Sequence, residues 1–480
     1  MILDDNQEQE LVKCLREKLN NKNFCLHLTL SKTFCFSRKY ALKYMDSWFM
    51  MNSETDNFLQ LKVKMQEEII SRSSLLVTTE IEVYQVVAKW INYNFKEREK
   101  FSKKLLHKIR LPLLAEKTLK KILTEKSCFR ENKESLSVVN DIMKGDFDFY
   151  KNKPSKFFTA RYCAYDSLDI LHFGGYEDKN TDIVVDNKIL QIKHFDNFNS
   201  SEIVSSLVKK RYDCKVVYLR GNVFIFGGVD GRPDPYSLCS NIVKEVEVYS
   251  HLDKTCKVVA NIEKINDNGL ENYAICGFMD KIYLIGGSND FISDLCIEFD
   301  TNDFSWKHKS KMLERRIDSA ACVFEEQIIV SGGMHFTGDD FVNFVNFYEH
   351  DNHQTLNTVE AYDPTDDTWT KFSTMHYSRC CHKSVVVKNK LFVISGGTNI
   401  NEIYDSTSKK FAILRPSMDL YDLRENYPIA IFKVSHKLFF YFTGSPSIFC
   451  FDTKKGEWYK KPGKITKHLY FFSAIQVPRL

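Results

Sequence analysis

Six stretches of this chain follow one rule: a short apolar run ends on glycine, and a second run and a polar turn come next. The first five are 168-LDILHFGGYED, 223-VFIFGGVDG, 281-KIYLIGGSND, 327-QIIVSGGMHF and 390-KLFVISGGTN. The sixth, 437-KLFFYFTGSPS, has Thr443-Gly444 in place of the pair. The second glycines stand at 175, 228, 287, 333, 397 and 444, so they recur every 46 to 64 residues. Each run is short, β-branched and aromatic-rich, as a buried strand should be. Glycine tolerates positive φ and lets neighbouring backbone come close. A repeat of about 50 residues built this way predicts radial β-sheets crowding around one axis.

The second runs have their own grammar. In 358-TVEAYDPTDDTWTK, 295-LCIEFDTNDFSWK and 448-IFCFDTKKGEWYK a strand ends in Tyr or Phe, a turn follows, and the next strand carries Trp369, Trp306 or Trp458. These tryptophans are read as packing between blades. Asp363, Asp366 and Asp367 are read as turn formers through side-chain to backbone bonds.

On these residues, roughly 157–480 resembles the Kelch repeat family and implies a six-bladed β-propeller. The tail 468-HLYFFSAIQVPRL has strand character but no Gly pair. The resemblance implies that it closes the ring on the first blade, hiding sheet edges that would otherwise lie open.

Residues 8–125 differ. They contain no Gly, and their only Pro is Pro112. Apolar residues recur at helical spacing in 10-ELVKCLREKLN, 38-RKYALKYMDSWFMM, 62-KVKMQEEIISR and 101-FSKKLLHKIRLPLL. In 79-TEIEVYQVVAKWINYNF, Thr79 and Glu82 are in capping-box register. Val83, Val86, Val87, Trp90 and Ile91 fall on one face. The stretches 23-NFCLHLTLSKTFCFSRKYALKY, 75-LLVTTEIEVYQVVAKWI and 105-LLHKIRLPLLAEKTLKKIL resemble the BACK domain of Kelch-like proteins. The expected organisation is a remnant helix over 1–22, a BACK domain over 23–125, a linking helix and hinge over 126–156, and the propeller over 157–480. The fold class is therefore α+β multidomain, all-α first and all-β after. Kelch-like proteins usually begin with a BTB domain, and on this reading only 10-ELVKCLREKLN remains before BACK.

The search for chemistry leaves little. There is no P-loop, no G-x-G-x-x-G opening a helix, no G-x-S-x-G elbow and no zinc-finger spacing. Cys380-Cys381-His382 are adjacent on a segment read as extended, where neighbours alternate faces and cannot share an ion. His335, Tyr377 and Cys380 have no spacing that compels a copper site. The expectation is a chain that is not an enzyme and holds no cofactor. A formal charge of +4 over 480 residues, with charges interspersed, points to neither nucleic acid nor membrane. The scattered cysteines, the polar start MILDDNQEQE and the lack of a long apolar run give a cytoplasmic expectation.

Partner binding is where the residues point. Arg211, Arg316, Arg379 and Arg424 each precede an inner strand, the first three 16 or 17 residues before a Gly pair. Blade three has Leu270 instead. Such a ring of arginines can grip acidic side chains. The insertion 334-MHFTGDDFVNFVNFYEHDNHQT mixes aspartates with aromatics, Phe341 and Phe344 among them, and suggests a second contact. The resemblance implies substrate recognition as in cullin–RING ubiquitin ligase adaptors, with a target protein on the propeller and a cullin scaffold as a further partner. The alternatives are an actin-binding Kelch protein, or a competitor of a BTB-containing relative.

Overall fold

The computed structural model describes residues 23–25, 28, 35–124, 129, 132–145, 157, 161, 168–179, 182–192, 201–231, 242–264, 270–288, 292–336, 353–396, 398, 400–414, 428–434, 436–442, 447–462, 469–470 and 473–478. The chain divides into a helical unit ending at Leu168 and a β unit over Asp169–Val477. The segment 10-ELVKCLREKLN lies outside the described residues. Among the described residues no helix is long and apolar enough to cross a membrane.

The helical unit is built from short amphipathic segments. Its longest helix, Glu80–Tyr93, buries Val83, Val86, Val87, Trp90 and Ile91, the face expected from their spacing. Trp90 donates its indole N–H to the Leu61 carbonyl at 3.1 Å, so the buried ring leaves no polar atom stranded. The expected capping box is replaced by a neighbouring bond: the Glu82 carboxylate accepts the backbone N–H of Thr78, one residue before the N-cap, at 2.6 Å, and the Thr79 hydroxyl caps nothing.

The expected linking helix forms, and it packs into this core. Helix Lys133–Met143 starts on Asn132, whose side chain accepts the Ser135 N–H at 3.0 Å. It buries Val138, Val139 and Ile142 against the BACK helices, and Phe129 and Phe157 join the same cluster. Arg161 fastens the end of the segment. Its buried guanidinium bonds both Glu80 carboxylate oxygens, at 2.8 and 2.6 Å, and the carbonyls of Ile70 and Arg72 at 2.7 and 2.6 Å. Among the described residues the first propeller strand opens at Leu168.

Six four-stranded antiparallel sheets form the blades. Blade one takes its innermost strand, Ser473–Pro478, from the C-terminus, followed by Leu168–Phe173, Lys188–Ile192 and Ser201–Ser206. The tail thus closes the ring on the first blade. Blade two runs Lys215–Leu219, Asn222–Phe226, Glu245–Ser250 and Thr255–Asn261. Blade three runs Ala274–Phe278, Lys281–Ile285, Cys296–Asp300 and Trp306–His308. Blade four runs Ala320–Phe324, Gln327–Ser331, Thr358–Asp363 and Thr368–Thr374. Blades five and six repeat the order from Lys383–Val387 and Pro428–Val434. The innermost strands of successive blades run side by side around the centre.

The core is divided among the seams between blades. Leu171 and Phe173 of blade one pack on Val223 and Ile225 of blade two. Phe224 and Phe226 meet Ile297 and Phe299 at the next seam, and the series continues to blades five and six. Trp306, Trp369 and Trp458 stand opposite Phe299, Tyr362 and Phe451 in register. The Trp306 ring also lies 6.1 Å from Phe226 of the preceding blade, which makes it the seam residue the sequence implied.

The glycine pairs serve the same seams. A Cβ on Gly333 (φ 101°) would sit 2.5 Å from the Ile317 carbonyl of its own blade. One on Gly332 would strike the Arg379 carbonyl of the next blade. With no Cβ there, Gly333 donates its N–H to that Arg379 carbonyl at 2.8 Å, and Gly175 and Gly287 do the same to Arg211 and Arg316. In blade five the pair is shifted by one residue from the reading by sequence. Ser395 (φ 65°) fills the first position and Gly396 the second. Thr443-Gly444 lies outside the described residues.

Candidate partner-binding face

Each of three blades contains the same internal network. Arg211, Arg316 and Arg379 are completely buried. Arg211 donates to Glu247 at 2.5 Å and to the Gly227 carbonyl at 2.9 Å. Arg316 pairs with Glu360 and donates to the Gly332 carbonyl at 2.8 Å. Arg379 donates to Glu402 at 2.6 Å and to the Ser395 carbonyl at 2.9 Å. The carbonyl lies 16 residues after the arginine in every case, once Ser395 is counted as the first member of its pair. Each glutamate in turn accepts the backbone N–H groups three and two residues before the arginine: Val208 and Lys209, Leu313 and Glu314, His376 and Tyr377.

This corrects the expectation that these arginines grip a partner. Their charge is spent on a buried carboxylate and Nη1 on backbone carbonyls, while Nε lies buried without a partner, so none is presented to solvent. Burial pulls the Arg379 guanidinium below its usual range, with Glu402 opposing. The position of the glutamate is Leu190, Ile297 and Phe449 in blades one, three and six, as strand register shows. In blade three Leu270 and Ile297 are both buried in one apolar cluster, so arginine and glutamate have been exchanged together for an apolar pair. Arg424, Phe341 and Phe344 lie outside the described residues. The insertion that carries the two phenylalanines leaves blade four on a short hairpin, Met334–Phe336 paired with His353–Thr355.

What the network presents is the residue two places on. Asp213, Asn272, Asp318 and Cys381 all adopt left-handed backbone, with φ from 51 to 53°. Each leads into an innermost strand, so the four share one end of the central channel. The Asp318 N–H donates to the Asn272 carbonyl, and the Cys381 N–H to the Asp318 carbonyl, both at 2.8 Å, a backbone chain that crosses from blade three to blade five. Two residues further, Lys215 and Lys383 stand on the inner strands. Lys215 pairs with Asp213 at 3.2 Å, with side chains 28% and 46% exposed. Burial pushes the Asp318 carboxyl up to about 6, with Lys215 opposing and Asp213 adding to the rise. Burial and Lys215 together lower Lys383 to about 8. The mouth thus holds two carboxylates and two ammonium groups that remain reachable by solvent.

Sequence reasoning missed this ring, although a signal existed. The strings 211-RYD, 316-RID and 379-RCC hold the arginine constant and vary the residue two later. His382 turns inward, its Nε2 2.8 Å from the Ser331 hydroxyl. Cys381 breaks the segment with positive φ, where an extended run was expected. Among the described residues no cluster of His, Cys, Asp or Glu could hold a metal ion.

Comparison with known proteins agrees with this architecture. The family profile described as BACK, BTB And C-terminal Kelch, matches residues 27–124, and the Kelch motif matches 210–262 and 315–376. The chain is 26% identical to Kelch-like protein 7 of Rattus norvegicus over 371 residues, 76% of this chain and 57% of that protein. The same protein of Homo sapiens matches at 26% over 346 residues, 72% of this chain and 53% of the relative. Kelch repeat and BTB domain-containing protein 8 of Homo sapiens matches at 22% over 416 residues, 77% and 64%. The chain therefore spans little more than half the length of the first of these relatives.

Proposed function

We propose that this chain, which belongs to the Kelch-like family by its BACK domain and Kelch repeats, is a non-catalytic recognition subunit that binds a target protein at the mouth of its propeller. The observation that carries the reading is the division of labour within a blade. In three blades a buried arginine holds the backbone and the residue two places on varies as Asp213, Asp318 and Cys381, while in blade three Asn272 stands two places after the buried Leu270. A recognition surface needs this combination, because a rigid frame lowers the ordering cost of binding while the displayed side chains set the partner.

The charges define the partner's chemistry. Asp213 and Asp318 suit a lysine or arginine of the target, and Lys215 and Lys383 suit a carboxylate beside it. The insertion bearing Phe341 and Phe344 is proposed to add an aromatic contact, and Arg424 a charged one. From the BACK and Kelch resemblance, the role proposed for the whole is that of an adaptor in cullin–RING ubiquitin ligation.

The test is affinity capture on the intact chain and on a D213A/N272A/D318A variant of matched circular dichroism, followed by measurement of each retained protein with the purified pair. A target held by the parent chain and weakened at least about tenfold by the variant supports the reading, since a central charged contact is worth more than ~1.4 kcal/mol. Equal binding by both chains, or retention of actin filaments alone, rejects the mouth as the recognition site. Binding of purified cullin to the same chain tests the adaptor role separately.

A further inference from the structure

The two ends of the propeller differ in what they expose. Among the described residues the β unit has seven large apolar side chains open to solvent. Three of them, Ile203, Val258 and Ile413, lie on outermost strands. The other four stand at the end that carries the mouth: Val184 on the hairpin after the first glycine pair, and Val208, Leu313 and Tyr377 on the connections into blades two, four and five. The turns at the opposite end are polar, as in Arg220-Gly221, Glu325-Glu326, Asp366-Asp367 and Lys388-Asn389. Single exposed apolar residues are ordinary on a protein surface, but a set gathered on one face marks a contact surface.

The three connections are held by the network that frames the mouth. Val208 and Leu313 each donate their N–H at 2.7 Å to a buried carboxylate, Glu247 and Glu360, and Tyr377 donates at 3.2 Å to Glu402. Val208 and Leu313 stand three residues before the arginine; in blade five His376 takes that place and Tyr377 follows it. The same carboxylates therefore fix the backbone under an apolar residue on one side of the arginine and under the mouth residue on the other. Side chains on a backbone already fixed lose less freedom when a partner covers them. Blades two and five face each other across a ring of six, so Val208 and Tyr377 stand on opposite sides of the channel, with Leu313 one blade from Tyr377. The carboxylates of Asp213 and Asp318 and the ammonium groups of Lys215 and Lys383 belong to the mouth between them.

We propose, resting on the mouth as the recognition site, that the target presents a linear segment laid across the channel, with a basic and an acidic residue side by side at its centre and a large apolar residue on either side. One apolar residue covers Val208, and the other covers Tyr377 and Leu313. The basic residue meets Asp213 and Asp318, and the acidic one meets Lys215 and Lys383. Solvent-exposed charges orient such a segment more than they hold it, because water and salt screen them. The apolar rim supplies the surface removed from water that holds it.

The experiment pans the intact chain with a display library of random linear peptides of about twelve residues, which reach about 40 Å when extended. The selected peptides are then synthesised, and their affinities are measured for the parent chain, for V208S, L313S and Y377S, for the D213A/N272A/D318A variant, and for V258S and I413S as controls on the outermost strands. The selected sequences should share a basic–acidic centre between large apolar residues. V208S and Y377S should each weaken them at least about fivefold, as loss of an anchor does, and the two controls should bind as the parent does. Losses in the mouth variant with none in V208S and Y377S overturn the segment and leave the mouth as the recognition site. Binding indifferent to both sets overturns the segment and the mouth together. A library that enriches nothing over an uncoated support, or losses in the controls equal to those on the rim, overturns the linear segment.

Discussion

Arg316 illustrates how a single residue is committed to the fold. Its guanidinium and the Glu360 carboxylate are both buried, and Glu360 also holds the N–H groups of Leu313 and Glu314. Arg316→Ala should cost about 3–5 kcal/mol, because it leaves a buried carboxylate without its partner charge. Blade three shows the alternative, Leu270 with Ile297. The pair R316L/E360I should recover part of the loss, about half, since the two backbone donors of Leu313 and Glu314 lose their acceptor while the unpaired charge is removed. Denaturant midpoints of the single and double variants measure the coupling. Ser395 supplies a second case. It occupies a left-handed position that glycine fills in other blades, so S395G should raise stability by up to about 1 kcal/mol in the same assay. The arginines were legible in the sequence as a series, but not as buried groups. Their glutamates stand 23 to 44 residues away, and only strand pairing brings them together.

At the level of elements, local pattern carried far. The apolar runs before each Gly pair, the aromatic–turn–Trp hairpins and the apolar face of Glu80–Tyr93 all formed as their spacing implied, because each depends on neighbours within a few residues. The Asp363 turn formed through its own side chain, which accepts the Thr365 N–H at 2.8 Å. Asp367 did more than a turn requires, accepting from the Tyr362 hydroxyl and from the Ser310 N–H. Within 126–156 the expected linking helix formed as Lys133–Met143, but its amphipathic pattern did not say what covers the apolar face, which packs into the helical core. Arg161 fixes this segment to the BACK helices. Arg161→Ala should expose 145–168 to limited proteolysis and lower helical-unit stability by about 3 kcal/mol or more, as Glu80 would be left buried and unpaired. Deleting 473–480 should have a larger effect. Blade one would lose its innermost strand and the Val477 contact at the first seam, and the propeller should lose its cooperative melting transition.

For the whole molecule, stability should depend on pH through buried histidines. His172 is lowered to about 3 and His382 well below its ordinary value, both by burial. Each binds a proton in the unfolded chain and not in the folded one, so stability falls as pH drops below about 6.5, by up to ~1.4 kcal/mol per pH unit for each. Asp318 acts in the opposite sense. Its raised folded value, about 6, makes the folded chain take up the proton first, so its contribution improves as pH falls toward 4. The two histidines outweigh the one aspartate, and denaturant midpoints should be lower at pH 5.0 than at 7.5. H382Q should flatten that dependence.

The amino-acid sequence by itself determined which half is helical and which is β, the number of blades and the turns within them. Those outcomes rest on hydrophobic period, β-branched content and glycine, which act over a few residues. Only the tertiary structure decided that the arginines lie inside the blades, that Asp213, Asn272, Asp318 and Cys381 share one mouth, and that Arg161 belongs to the helical core. These depend on which strand lies beside which and on the desolvation of charge when blades close against one another, and no local pattern records either.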